Sequence, residues 1–239
     1  MNNAHFSSLR RSAAFTLIEM IAVISIIAII TVFVVPAATT ILKGSQLTQA
    51  STIITDQISL ARQQALTKNC MVEVRFVRFG DPEQPGEKAS TPMTGKFRAL
   101  EVMQVLPSGV SVPLGKVQIL PTSIMMAFTE GQTATGNSNS NFSTLLSTGS
   151  GTAPLYTTTP PNTDPDLPRG IKKSYNYYSF RFLPDGSTNL LPTVQWYVTL
   201  INRNDEAKLS GTGIQSINFF TLQLDPVSGA TRSYRPTAK

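Results

Sequence analysis

The chain has very little of the chemistry that most catalytic sites are built from. Among 239 residues there is one histidine, His5, and one cysteine, Cys70. A single cysteine excludes an intrachain disulfide and a thiolate zinc site. Once the first fourteen residues are set aside, no histidine is left for a Ser-His-Asp or Cys-His arrangement or a histidine-ligated metal. Charged residues make up 14% of the chain and tryptophan occurs once. The net charge of +6 falls to +4 without Arg10 and Arg11, too mild to imply nucleic acid. Gly109 to Lys116 imitates a phosphate loop, but five residues separate its glycines, Pro113 interrupts it and Val117 replaces the required Ser or Thr. Asp81 with Glu83, Asp164 with Asp166, and Asp205 with Glu206 are expected to be solvated loop charges rather than calcium ligands. No catalytic residue, metal or cofactor is assigned, and the chain is not read as an enzyme.

What the chain does have is one long apolar run. Residues 15–35 carry one charge, Glu19. As a helix the run is about 30 Å long, the thickness of a bilayer's hydrocarbon core. Arg10 and Arg11 precede it and no cation follows until Lys43, which predicts a cytoplasmic N-terminus and an extracytoplasmic remainder. A carboxylate inside such a run needs a partner. Cleavage between Ala14 and Phe15 would create one, a new amino group on Phe15, one helical turn from Glu19. A snorkelling Glu19 at the interface is the plainer alternative. A twin-arginine signal lacks its pattern after Arg10-Arg11. A secretory signal cut near Pro36-Ala37-Ala38 would leave Glu19 unexplained.

Ala14-Phe15-Thr16-Leu17-Ile18-Glu19, behind a short basic leader, resembles the processing and methylation motif of type IV pilins and type II secretion pseudopilins. The resemblance implies cleavage by prepilin peptidase after Ala14, where the family usually has Gly. It further implies N-methylation of Phe15 and a role for Glu19 in docking into a filament. Pro36 stands at the twenty-second mature position, where many pilins carry Pro and where a helix would kink. The disulfide-closed C-terminal loop of many pilins is impossible here. Implied partners are prepilin peptidase, other pilin or pseudopilin subunits, an inner-membrane assembly platform and membrane lipid. The implied place is the inner membrane, single-pass, with an extracytoplasmic head.

Beyond Pro36 the helical pattern continues. Leu47, Ala50, Ile54, Ile58, Ala61 and Ala65 recur at helical spacing and predict a buried stripe. Thr48, Gln49, Asp56, Gln57, Arg62 and Gln63 lie on the other face. The domain reading is therefore a leader over 1–14, one helix over 15–68 with a transmembrane part at about 15–35, and a β-rich head over 69–239. Val72, Val74 and Phe76 alternate with Glu73 and Arg75, as in a half-buried strand. Strands are expected at 97–106, 117–120, 124–128, 177–183, 194–200, 217–224 and 230–234. A Pro/Gly-rich loop is expected at 80–95. Residues 129–174, dense in Ser, Thr, Asn, Gly and Pro, are expected to form a long exposed loop. Phe182-Leu183-Pro184-Asp185-Gly186 and Asp225-Pro226-Val227-Ser228-Gly229 resemble the strand end and C-terminal hairpin of GspH/FimT-like proteins. The layout is similar to the Verru_Chthon cassette protein D family.

These features predict an α+β fold: one long N-terminal helix, its inner half transmembrane, packed on an antiparallel β-rich head. The expected function is that of a pilin-like, minor pseudopilin subunit. The alternative is a single-span anchored or secreted β-domain that binds an exported protein, a surface polymer or DNA. Arg232, Tyr234, Arg235 and Lys239 interleave cations with an aromatic, as single-strand binders do. A charged edge strand that blocks edge pairing has the same composition, so DNA is not assigned as a partner.

Overall fold

The computed structural model describes residues 15–128, 142–147, 153–210, 213–214 and 218–236, with the side chains of 34–40, 93, 208, 210 and 213–214 outside the description. The chain divides into two units, 1–42 and 43–239. Helix α1, Leu17–Lys68, contributes to both.

In the second unit α1 supplies one wall of the core. Leu47, Ala50, Ile54, Ile58, Ala61 and Ala65 are all at most 1% exposed, the whole of the expected stripe. They pack into one apolar cluster with residues of a β-sheet. The sheet is built from β1 (Met71–Phe79), β2 (Lys96–Val105), β3 (Ser111–Pro113) and β4 (Gln118–Ile119). After β5 (Ile124–Met126), β6 (Leu155–Thr157) and β7 (Tyr175–Phe182) complete it. Its order is β3-β2-β1-β7-β6, antiparallel throughout, with β4 also paired to β2. The register brings Val72, Val74 and Phe76 opposite Phe182, Phe180 and Tyr178, and all six join the helix-side core.

A second sheet follows from β8 (Trp196–Asn202), which pairs with β5 and with β11 (Phe219–Leu224). A short pair, β9 (Leu209–Ser210) with β10 (Gly213–Ile214), lies between them in the chain. β12 (Thr231–Tyr234) closes a hairpin on β11. Trp196 is buried, and its indole N–H donates to the carbonyl of Leu191 at 2.8 Å. The hairpin turn behaves as its sequence demands. The Ser228 hydroxyl and Val227 N–H donate to Asp225, holding its carboxyl below the usual range. Gly229 has φ +66°, and a Cβ there would lie 2.3 Å from the carbonyl oxygen of Gly186. Cys70 is a free, half-buried thiol.

Three expectations are corrected. First, β1 is not half-buried: every residue from Val72 to Phe79 is buried, on both faces. Second, the described parts of 129–174 are only partly an exposed loop: 161–163 and 168–170 are exposed, but other residues are docked. Leu145, Leu146, Ala153, Leu167 and Ile171 are at most 5% exposed, and β6 adds a strand to the sheet. A polar composition did not prevent this, because a few well-placed apolar residues suffice to dock a segment on an existing face. Residues 129–141 and 148–152 lie outside the description. Third, Asp81 and Asp164 are not solvated; both are fully buried at their side chains, in ion pairs. The first two corrections both involve segment 153–174: β6 extends the sheet, and residues 160–173 lie over the face opposite α1. There Leu167 and Ile171 pack with Val77, Phe79, Ala99, Tyr175 and Tyr177.

Candidate functional site: the N-terminal helix

The first unit begins with a helix cap. Thr16 N–H and the Thr16 hydroxyl both donate to one carboxylate oxygen of Glu19, each at 2.8 Å. Glu19 N–H donates back to the Thr16 hydroxyl at 3.3 Å. This is a capping box, which satisfies donors that the first helical turn leaves without partners. Glu19 therefore has a partner within its own chain, which the sequence reading did not identify. The signal was present: Thr-x-x-Glu immediately before an apolar run is the capping-box spacing.

Behind the cap, large apolar side chains cover every direction around the helix. Phe15, Leu17 and Ile18 are more than 70% exposed, as is Phe33, and Ile21, Ile24, Ile27 and Ile30 are at least half exposed. A helix that is apolar all round is stable only when lipid or other helices surround it. Its few hydroxyls are already neutralised. Ser25 donates to the carbonyl of Ile21 at 2.8 Å and Thr31 to that of Ile27 at 2.7 Å, the usual way such side chains are carried in an apolar helix. The helix runs unbroken past Pro36. Among the described residues no helix is long and apolar enough to cross a membrane. The expected span at 15–35 includes two side chains that lie outside the description. Ala14 lies outside it as well.

The C-terminal basic group is only partly brought together. Arg232 and Tyr234 are exposed on β12, but the Tyr234 hydroxyl donates to Gln223 at 3.0 Å. Arg235 turns back to the head, donating to the Thr48 hydroxyl at 3.1 Å and Asn218 at 3.4 Å. Lys239 lies outside the described residues.

The sequence reading missed the buried charges behind the sheet altogether. Arg75 donates to Asp164 at 2.7 Å and to Glu73 at 3.1 Å, and lies over the Tyr177 ring at 4.5 Å. Arg98 donates to Glu87 at 2.6 Å, and Asp81 accepts from Arg169 at 2.9 Å. Burial raises the Glu101 carboxyl to about 7, against the opposing pull of Arg75. It likewise raises the Tyr178 hydroxyl to about 12. Alternating opposite charges inside central strands were the available signal, but they look the same as a solvated face until the covering segment is known.

The N-terminus carries a methylation signature at the head of a long helix, and the outer part of that helix lies on an antiparallel sheet. Residues 9–35 match the family described as the prokaryotic N-terminal methylation motif. Among solved structures, the chain is similar to the minor pseudopilin EpsH from the type 2 secretion system of Vibrio cholerae. That likeness is 8% identity over 81% of this chain and 99% of that one, at TM-score 0.39. It is also similar to the type IV minor pilin FimU of Pseudomonas aeruginosa, with 10% identity, 81% and 90% coverage and TM-score 0.37. No curated protein matches the chain in sequence.

Proposed function

We propose that the protein is a minor-pseudopilin-type subunit that works by assembly rather than catalysis. The observation that carries this reading is the all-round apolar, exposed helix behind a methylation motif. Prepilin peptidase would cut between Ala14 and Phe15 and methylate the new Phe15 amine. Residues 15–35 would hold the subunit in the inner membrane with its head extracytoplasmic, ready to pack against other pilin or pseudopilin helices on an assembly platform. Glu19 then has a choice of partners. In the uncut chain its carboxylate caps the helix through Thr16. After cleavage the Phe15 amine, of this chain or a neighbour, can neutralise the same carboxylate in a setting where an unpaired charge is costly.

The test is intact-mass and N-terminal analysis of the protein from its native membrane. The expected mature chain begins at Phe15 and carries one added methyl group. A chain beginning near Ala37 would make it a secreted domain and overturn the assembly reading. Glu19→Ala should leave membrane insertion intact and abolish recruitment into filaments, measured by the sheared-filament fraction; normal assembly would refute the charge-neutralisation role.

A further inference from the structure

The face of the first sheet turned away from α1 carries a cluster of charges. β1 presents Glu73 and Arg75, and β2 presents Glu101 directly opposite Arg75. β7 presents Tyr175, Tyr177 and Arg181, the last opposite Glu73. From β3, Ser111 donates to Glu73 at 3.2 Å. Segment 160–173 crosses over them and lowers Asp164 into the middle. The side chains of Arg75, Glu101 and Asp164 are at most 2% exposed.

The cluster is short of positive charge. One nitrogen, Arg75 Nη1, lies 2.7 Å from Asp164 and 3.5 Å from Glu101, so two carboxylates compete for it. Arg181, more than a third exposed, reaches Glu73 at 3.7 Å. With all three carboxylates ionised, two cations face three anions, and the surplus charge sits in a site that water does not reach. Neither oxygen of Glu101 accepts a hydrogen bond among the described residues, nor does Asp164 Oδ1. The Tyr175 hydroxyl is also without a partner there. One proton on Glu101 balances the cluster and leaves Arg75 to Asp164.

The covering segment is also held under backbone tension at its tip. Arg169 and Lys172, neither a glycine, have φ of +60° and +53°, in the left-handed region that side chains disfavour. A second ion pair, Arg169 with Asp81 at 2.9 Å, holds this tip. Lys173 pairs with Asp166 within the segment at 3.7 Å. The apolar attachment is small, chiefly Leu167 and Ile171.

We propose that segment 160–173 is a proton-gated clasp over the back of the sheet, docked while Glu101 is neutral and released when Glu101 ionises beside Asp164. Release uncovers Tyr175, Tyr177 and Val77, giving the head a second, apolar face above neutral pH. The raised carboxyl of Glu101, near 7, places the change in the range an extracytoplasmic protein meets.

The clasp tip carries its own reporter, because trypsin cuts after Arg169, Lys172 and Lys173. The detergent-solubilised full-length protein is nicked at pH 6.0 and 8.5, with trypsin activity normalised at each pH to a small peptide substrate. A carboxyl moving from about 7 docked to its ordinary value released predicts about a tenfold faster nicking at the higher pH. Glu101→Gln should be slow at both pH values, and Asp164→Asn, which removes the surplus anion, should lose the pH dependence. A wild-type rate independent of pH, or a rise retained in Glu101→Gln, overturns the proposal. Should Glu101→Gln fail to fold, amide exchange over residues 164–173 of the wild type decides, corrected for the intrinsic pH dependence. Protection that falls as pH rises and levels off above about 7 supports the clasp, and pH-independent protection overturns it.

Discussion

Glu101 shows how one buried carboxyl can set the pH dependence of a whole head. Burial raises its pKa from 4.5 to about 7, and Arg75 only partly offsets that. A carboxyl raised in the folded state contributes stability that is fully present below about 4.5 and is lost as pH rises through 7. The difference corresponds to on the order of 3 kcal/mol between the two limits. Wild-type head should therefore have a higher urea midpoint at pH 5 than at pH 8, and Glu101→Gln should abolish most of that difference. Removing Arg75 is a different experiment. It strands Asp164 without its cation and leaves Glu73 only Arg181 at 3.7 Å, and a change of that kind costs about 3–5 kcal/mol. At the same scale, Thr16 and Glu19 were both visible in the sequence, and so was their spacing. In the proposed maturation, cleavage after Ala14 would offer Glu19 a second partner, the Phe15 amine, beside the Thr16 cap.

At the scale of elements, α1 and the central strands answer different demands. The outer stripe of α1 was legible because a helix meeting one sheet buries a fixed set of positions, every third or fourth residue. Ile58 is in that stripe and fully buried, so Ile58→Ala should cost about 2–5 kcal/mol. Gln63, exposed on the opposite side, should tolerate Ala within about 0.5 kcal/mol. Denaturant midpoints of the two variants check the contrast. The start of strand β1 was located within a residue, but its continuation to Phe79 and its burial were not read. Alternation tells which residues share a face; it does not tell whether that face meets water. Segment 160–173 closes the second face, and its Asp164 is separated from Arg75 of β1 by 89 positions. The hairpin at 225–229 was legible for the opposite reason: its hydrogen bonds are all local, from Ser228 and Val227 to Asp225.

The whole molecule joins an apolar helix that is unsuited to water to a head with its own core. Residues 43–239 form a compact unit containing all three apolar clusters, and none of these draws on residues before Leu47. A chain beginning at Lys43 should therefore fold, remain monomeric in the absence of detergent, and melt cooperatively within a few degrees of the full-length head. Sedimentation and differential scanning calorimetry measure both; loss of the cooperative transition would show that the head needs the first unit.

The sequence by itself determined the processing motif, the long helix with its two distinct halves, the buried stripe of α1, the positions of the longer strands and the scarcity of histidine and cysteine. Those features rest on local order, composition and periodicity, which a linear chain displays. The tertiary structure decided where the charges go. Glu73, Arg75, Asp81, Arg98, Glu101 and Asp164 resemble solvated residues in any window of sequence. They become a buried ionic layer only when one polar segment crosses the sheet and excludes the water that would otherwise screen them.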